Sequence, residues 1–128
     1  MTDYRKLDVY LEARMLSREI YFRATVLLPL YLRWRLGGQL DKAADSIGSN
    51  LAEGSGRKNP EHGNTELIRY AYLSRDSANE VEHRLAALHD RALIPDDVYA
   101  DLNTRVGRVK AMLLSLIAAW KREDRGRV

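Results

Sequence analysis

The residues best spaced for chemistry are Glu80, Glu82 and His83. Glu80 and His83 stand three apart, and a Glu-x-x-His pair on a helix puts a carboxylate and an imidazole on one face, as in di-metal carboxylate bundles. Such a site needs two of these pairs and a Glu from each of two further helices. His62 and His89 have no Glu three residues before them, and Glu80 and His83 fall off the apolar stripe of their own helix. No metal site is expected. Nothing in the spacing of Ser, His and Asp arranges a nucleophilic triad, and no dinucleotide, Walker or zinc motif occurs. Gly54-Ser55-Gly56-Arg57-Lys58-Asn59-Pro60 sets glycines beside two cations, and backbone N–H groups in such a loop can cradle a phosphate. It is not a P-loop, because the Gly-x4-Gly-Lys-Ser/Thr spacing and the preceding strand are missing. The chain therefore reads as a non-enzyme with no catalytic residue, no metal and no cofactor.

Binding chemistry is carried by cations. The chain has 128 residues, with 21 Lys and Arg against 18 Asp and Glu, a net charge of +3. That total is mild, but twelve of the 21 lie in two stretches. One holds Arg14, Arg18, Arg23, Arg33 and Arg35 against Glu19; the other holds Arg105, Arg108, Lys110, Lys121, Arg122, Arg125 and Arg127 against Glu123 and Asp124. Clusters of this kind can form a phosphate-binding face. The candidates are Arg14, Arg18, Arg33, Arg35, Arg57, Lys58, Arg105 and Arg108. The competing reading is that the charges simply solvate helix faces. Arg33-Trp34-Arg35 interleaves an aromatic with two cations and can stack on bases, but is read first as an anchor that packs a loop onto the fold.

The elements that must position these residues are helices of one domain. No cysteine is present, so there is no disulfide framework. No apolar run reaches the roughly 18 residues of a membrane span, and the charged start Met1-Thr2-Asp3-Tyr4-Arg5-Lys6 lacks the apolar core of a signal peptide. A cytoplasmic protein without a membrane partner is expected. The first helix is placed at about 7–28, with Val9, Ala13, Leu16, Ile20, Ala24 and Leu27 on one stripe. Leu11, Met15, Phe22 and Val26 form a second stripe about 100° away, and a bundle core needs only one. The second stripe is read as a face covered by another subunit. Pro29 is expected to end this helix. Helix two, at about 36–53, is striped by Leu36, Leu40, Ala44, Ile47 and Leu51, with small residues around the stripe and Gly54 and Gly56 as its stop. Ser46 and Asn50 are expected to bond neighbouring helices, and Glu53 to bond locally or pair with an Arg. Helix three, at about 60–92, follows an Asn59 cap and a Pro60 start. Its seam is Leu67, Ala71, Ser74, Ala78, Val81, Leu85, Leu88 and Ala92; Ile68, Tyr70, Tyr72 and Leu73 add apolar surface beyond it, again consistent with a subunit contact. Helix four, at about 95–122, carries Val98, Leu102, Val106, Val109, Leu113, Leu116 and Trp120, followed by a flexible basic tail at 123–128. Short loops imply an all-α, antiparallel up-down-up-down four-helix bundle.

The string Ala43-Ala44-Asp45-Ser46-Ile47-Gly48-Ser49-Asn50-Leu51-Ala52-Glu53-Gly54 resembles the signature of the four-helix-bundle proteins encoded in 23S rRNA intervening sequences. That family is related to the accessory variability determinant (Avd) proteins of diversity-generating retroelements. Gln39 and Lys42 ahead of the string, Pro29 and Arg57 also fit. On this resemblance Gln39, Lys42, Ala43, Ser46, Asn50, Glu53 and Gly54 are motif positions with a structural role. Leu32 stands where an acidic residue is usual, Asp41 where a second basic residue is common, and Asp76-Ser77 where Gly-Ser is usual. The resemblance implies a homopentameric ring. In the retroelement branch such a ring is basic, binds RNA or DNA and serves a reverse transcriptase. Two functions are therefore carried forward. The first is a non-enzymatic oligomeric nucleic-acid-binding accessory protein whose affinity falls steeply with salt. The alternative is an oligomeric protein-interaction scaffold with no nucleic-acid role, favoured by the modest net charge and by Asp41.

Overall fold

The computed structural model describes residues 3–57 and 59–127. Four long helices carry the fold: α1 (Asp8–Arg23), α2 (Gly38–Gly56), α3 (Thr65–Asp90) and α4 (Asp96–Arg125). Among the described residues there is no strand, and no helix is long and apolar enough to cross a membrane. Each helix packs against the next, and α4 packs back against α1. The core lies between them. It takes Val9, Ala13, Leu16 and Ile20 from α1, Leu40, Ala44, Ile47 and Leu51 from α2, Leu67, Ala71, Val81, Leu85 and Leu88 from α3, and Leu102, Val106, Val109, Leu113 and Trp120 from α4. These are the stripes read from the sequence, and each large side chain so buried contributes about 1.5–3 kcal/mol relative to exposure. In the last turns of α4 Ile117 is buried beside Trp120, while Leu116, expected in the stripe, is half-buried.

The tightest packing joins α2 to α3. The Ser74 hydroxyl donates to the Ile47 carbonyl at 2.8 Å in the buried core. A Cβ on Gly54 would lie 2.7 Å from the Tyr70 Cβ, so the two backbones are closer than any larger residue allows. This corrects the reading of Gly54 as a helix stop: α2 runs through it to Gly56, and Arg57 caps it. Ser46 and Asn50 do not reach neighbouring helices either. Ser46 Oγ donates to the Lys42 carbonyl at 2.7 Å and Asn50 Nδ2 to the Ser46 carbonyl at 2.9 Å, both one turn back on α2. Tyr70, expected on a subunit contact, is buried over Gly54 within the chain.

Helix ends differ from the expected boundaries for local reasons. α1 stops at Arg23, six residues before Pro29, because Ala24 leaves the helical region at φ −129° and ψ −66° and a 3-10 turn, Thr25–Leu27, follows. The turn rotates the pattern by one residue, so Leu28 is buried where Leu27 was expected, and Leu27 is 69% exposed. Asn59 caps only a 3-10 turn, Pro60–His62, accepting from the Glu61 N–H at 2.9 Å. α3 begins after it, with the buried Asn64 donating its side-chain amide to the Trp120 carbonyl at 3.3 Å. α3 closes in a Schellman motif: the Leu93 N–H bonds the Leu88 carbonyl at 3.0 Å and the Ala92 N–H the His89 carbonyl at 2.9 Å. Ala92, expected in the seam, is therefore exposed, at φ 55°. The end of α4, expected to be a flexible tail from residue 123, is helical through Arg125. It is tied down: Asp124 accepts from the Asn64 N–H at 3.1 Å, and Arg127 donates to the Pro60 carbonyl.

The two buried glycines of α2 should respond differently to alanine. At Gly54 the added Cβ forces α2 and α3 apart, and Gly54→Ala is expected to cost about 1–3 kcal/mol. At Gly48 the added Cβ meets only the Tyr10 ring at 3.4 Å, an ordinary contact. Gly48→Ala is expected to be neutral or to stabilise by up to about 1 kcal/mol through helix propensity. Urea unfolding of both variants beside the parent checks this.

Candidate functional site

The outer face of α1 is built from the second stripe. Of that stripe Leu11, Met15 and Phe22 are exposed, with Arg18 between them, on the side opposite Val9, Ala13, Leu16 and Ile20 rather than about 100° away, and Val26 falls in the 3-10 turn beyond the helix. Phe22 is 58% exposed although its ring is organised on both sides. The Tyr21 ring meets it edge-on at 5.1 Å, and the Arg18 guanidinium lies 5.9 Å from its centroid. Beyond α1 the apolar surface continues through Leu27, Leu30, Tyr31 and Trp34, the last 85% exposed. Trp34 is therefore not the loop anchor expected from the sequence; it is the most exposed large apolar side chain among the described residues.

The anchor is Arg33. Its Nη2 donates to the carbonyls of Val26 at 2.8 Å and Leu28 at 3.2 Å, pinning the 3-10 turn from behind. The chain then runs through a short α turn, Leu30–Leu32, and a π turn, Arg33–Gly37, into α2. Gly37 packs tightly there, since an added Cβ would lie 3.0 Å from Thr25 Cγ2. Leu28 is buried beneath the turn. Thr25 donates its hydroxyl to Asp41 at 2.7 Å. Burial pushes the Asp41 carboxyl above the ordinary carboxylate range, against the Thr25 hydrogen bond, which lowers it. Asp41 thus has a role of its own where the family resemblance led one to expect a cation. The result is a segment held by four interior contacts while its apolar side chains point outward.

The basic candidates divide into cations engaged within the chain and cations that are not. Arg14, Arg18 and Arg35 are exposed and make no ion pair among the described residues, and Arg14 flanks a groove of about 340 Å³ between α1 and α2. Arg33 is spent on the turn. Arg57 pairs with Glu53 at 2.9 Å and faces the Tyr70 ring at 5.7 Å. Arg105 pairs with Asp101 at 3.1 Å. Arg108 is exposed beside a groove between the start of α1 and α4. Lys58 lies outside the described residues. Sequence reasoning missed a cross-helix network in which Arg23 joins Arg105 on Asp101 and holds its carboxyl below the usual range. It also missed Arg69 over Tyr70 at 4.6 Å, and Arg75 and Lys121 around Tyr72. Only the four-residue step from Asp101 to Arg105 was visible beforehand.

The motif positions divide. Ala43 and Gly54 are buried packing residues, Ser46 and Asn50 bond α2's own backbone, and Glu53 takes Arg57. Gln39 and Lys42 are exposed, and Gln39 accepts from Arg84 at 2.7 Å. Glu80 also takes Arg84, at 3.3 Å, while His83 is exposed. No group of three or more His, Cys, Asp or Glu among the described residues is placed to hold a metal.

Residues 5–115 match the family described as 23S rRNA-intervening sequence protein. A crystal structure of a protein of unknown function from the S23 ribosomal protein family of Bacteroides thetaiotaomicron VPI-5482 shares the fold, with a TM-score of 0.75 at 20% identity. The match covers 86% of this chain and 95% of that one. No curated protein matches.

Asp41 gives this segment a testable pH dependence. A carboxyl whose pKa is raised on folding makes the ionised form costly, so the cost is full at neutral pH and fades as pH falls toward the ordinary value of 3.8. Asp41→Asn keeps an acceptor for Thr25 and removes the charge. It is expected to raise Tm at pH 7 and to leave Tm unchanged at pH 3, which thermal melts at the two pH values read directly.

Proposed function

The chain belongs to the family of 23S rRNA-intervening sequence proteins, and from that premise we propose that it is a non-enzymatic scaffold that assembles with copies of itself through the outer face of α1 and the segment after it. One observation carries this reading. Of the ten exposed large apolar side chains among the described residues, eight lie between Leu11 and Trp34. Exposed apolar side chains gathered in one stretch of the chain suit an interaction site, and the interior contacts of Arg33, Thr25 and Gly37 fix the segment in shape.

The assembled unit is an antiparallel up-down-up-down bundle. The pairing order supports this: Gln39 with Arg84, Ile47 with Ser74 and Gly54 with Tyr70 run in opposite directions along α2 and α3. Glu82 with Lys110, Tyr72 with Lys121 and Asn64 with Asp124 do the same along α3 and α4. The family resemblance adds a pentameric ring as the form of assembly. Nucleic-acid binding in support of a reverse transcriptase is the second reading. What favours it is that Arg14, Arg18, Arg35 and Arg108 form no ion pair among the described residues; Arg33, Arg57 and Arg105 are engaged within the chain.

The test is the mass in solution by light scattering. The parent is expected to be a defined oligomer. Phe22→Glu and Leu30→Glu, each placing a charge where an apolar side chain is covered, are expected to weaken assembly by at least about 100-fold while helicity is kept. A parent that stays monomeric at about 100 μM, or charged variants that assemble as the parent does, would overturn the proposal.

A further inference from the structure

Between α2 and α3 lies a second feature, lined by no residue of α1: a recess of about 310 Å³. Gln39, Lys42 and Ser46 reach it from α2, and Ser77, Glu80 and Arg84 from α3. We propose that this recess binds a small phosphomonoester that also carries a hydroxyl group, such as a sugar phosphate. Ala43 and the two serines keep the space open between the longer side chains.

The argument is a count of donors that remain to be used. Arg84 is held from both sides, its Nη1 on Gln39 Oε1 at 2.7 Å and its Nε on Glu80 Oε2 at 3.3 Å. Those bonds fix the guanidinium plane, and Nη2 makes no hydrogen bond among the described residues. They also turn the Gln39 carbonyl oxygen toward Arg84, so the Gln39 amide N–H groups remain as donors. Lys42 is exposed, makes no ion pair among the described residues and brings an ammonium. The Ser77 hydroxyl lines the recess and makes no hydrogen bond among the described residues. Two cations and two neutral donors therefore converge from two rigid helices, against one carboxylate that Arg84 already engages. A tetrahedral dianion accepts from several directions at once and suits a fixed fork beside a point charge. Glu80 keeps free lone pairs, and Ser46, whose proton goes to the Lys42 carbonyl, offers only acceptance. These acceptors suit hydroxyl groups on the ligand, and the volume leaves room for a sugar beyond the phosphoryl group.

Titration of the isotope-labelled full chain, followed by amide shifts at constant ionic strength, tests this with ribose 5-phosphate, inorganic phosphate and succinate as probes. Saturable shifts centred on residues 39–46 and 77–84 are expected for both phosphates. Lys42→Ala and Gln39→Ala, both at exposed positions, are expected to weaken each phosphate at least about tenfold with Tm unchanged. Glu80→Gln is expected to leave inorganic phosphate bound while weakening the sugar phosphate. No saturation below about 10 mM, succinate binding as tightly as phosphate, or Lys42→Ala binding as the parent does would each overturn the assignment. The recess shares no residue with the α1 face, so Phe22→Glu is expected to bind as the parent does, and the two proposals fail separately.

Discussion

The close approach of α2 and α3 is the contact on which the rest of the molecule depends. It exists because the facing residues are small: Gly54 under Tyr70 and Ala43 on α2, Ala71, Ser74 and Ala78 on α3. One polar atom is admitted into this seam, the Ser74 hydroxyl, and it is satisfied by the Ile47 carbonyl. An unsatisfied hydroxyl at that depth would cost about 1–3 kcal/mol, so the hydrogen bond also fixes the register of the two helices. With α2 and α3 locked, α4 folds back on α3 through the Asn64, Trp120 and Asp124 contacts, and α1 lies across the remaining groove with its Val9 to Ile20 stripe inward.

That arrangement leaves α1 with an apolar outer face that the chain itself does not cover. A helix in a four-helix fold needs one apolar stripe, and α1 has two. The segment after it extends the same surface. Its backbone is pinned by Arg33 to two carbonyls, by Thr25 to Asp41 and by Leu28 to the core, so that Leu27, Leu30, Tyr31 and Trp34 stand outward on a fixed frame. The fold thus spends a cation, a carboxylate and a glycine on presenting apolar side chains to the outside, which is the physical basis for reading the surface as an interface.

The stripes were legible because burial follows a helical period, and Val9 to Ile20, Leu40 to Leu51, Leu67 to Leu88 and Leu102 to Leu113 are the core. Boundaries were less so. Pro29 and the glycines 54 and 56 carry strong stop signals, yet α1 ends earlier, where Ala24 leaves the helical region and the 3-10 turn begins that Thr25 ties to Asp41, and Gly54 serves helix contact instead. Both outcomes depend on residues distant in sequence. The same holds for the candidate site. The second stripe of α1 could be read from spacing, but the roles of Arg33 and Trp34 were exchanged, because only the three-dimensional turn shows which side chain faces the carbonyls. The fate of Arg57 and Arg105 was half visible, since Glu53 and Asp101 stand one turn before them. Arg23 joining Asp101 spans 78 residues and left no sequence signal.

The central claim is that the α1 face is covered by another copy of the chain. Trp34 is the direct reporter, being 85% exposed in the single chain while Trp120 lies in the core. Emission of Trp34, isolated in a Trp120→Phe variant, would be followed across dilution from about 100 μM together with sedimentation. The account predicts emission that is blue-shifted and shielded from acrylamide at high concentration, and that moves to the red as the mass falls. Red, fully quenchable emission at every concentration, or an oligomer whose Trp34 stays exposed, would contradict it.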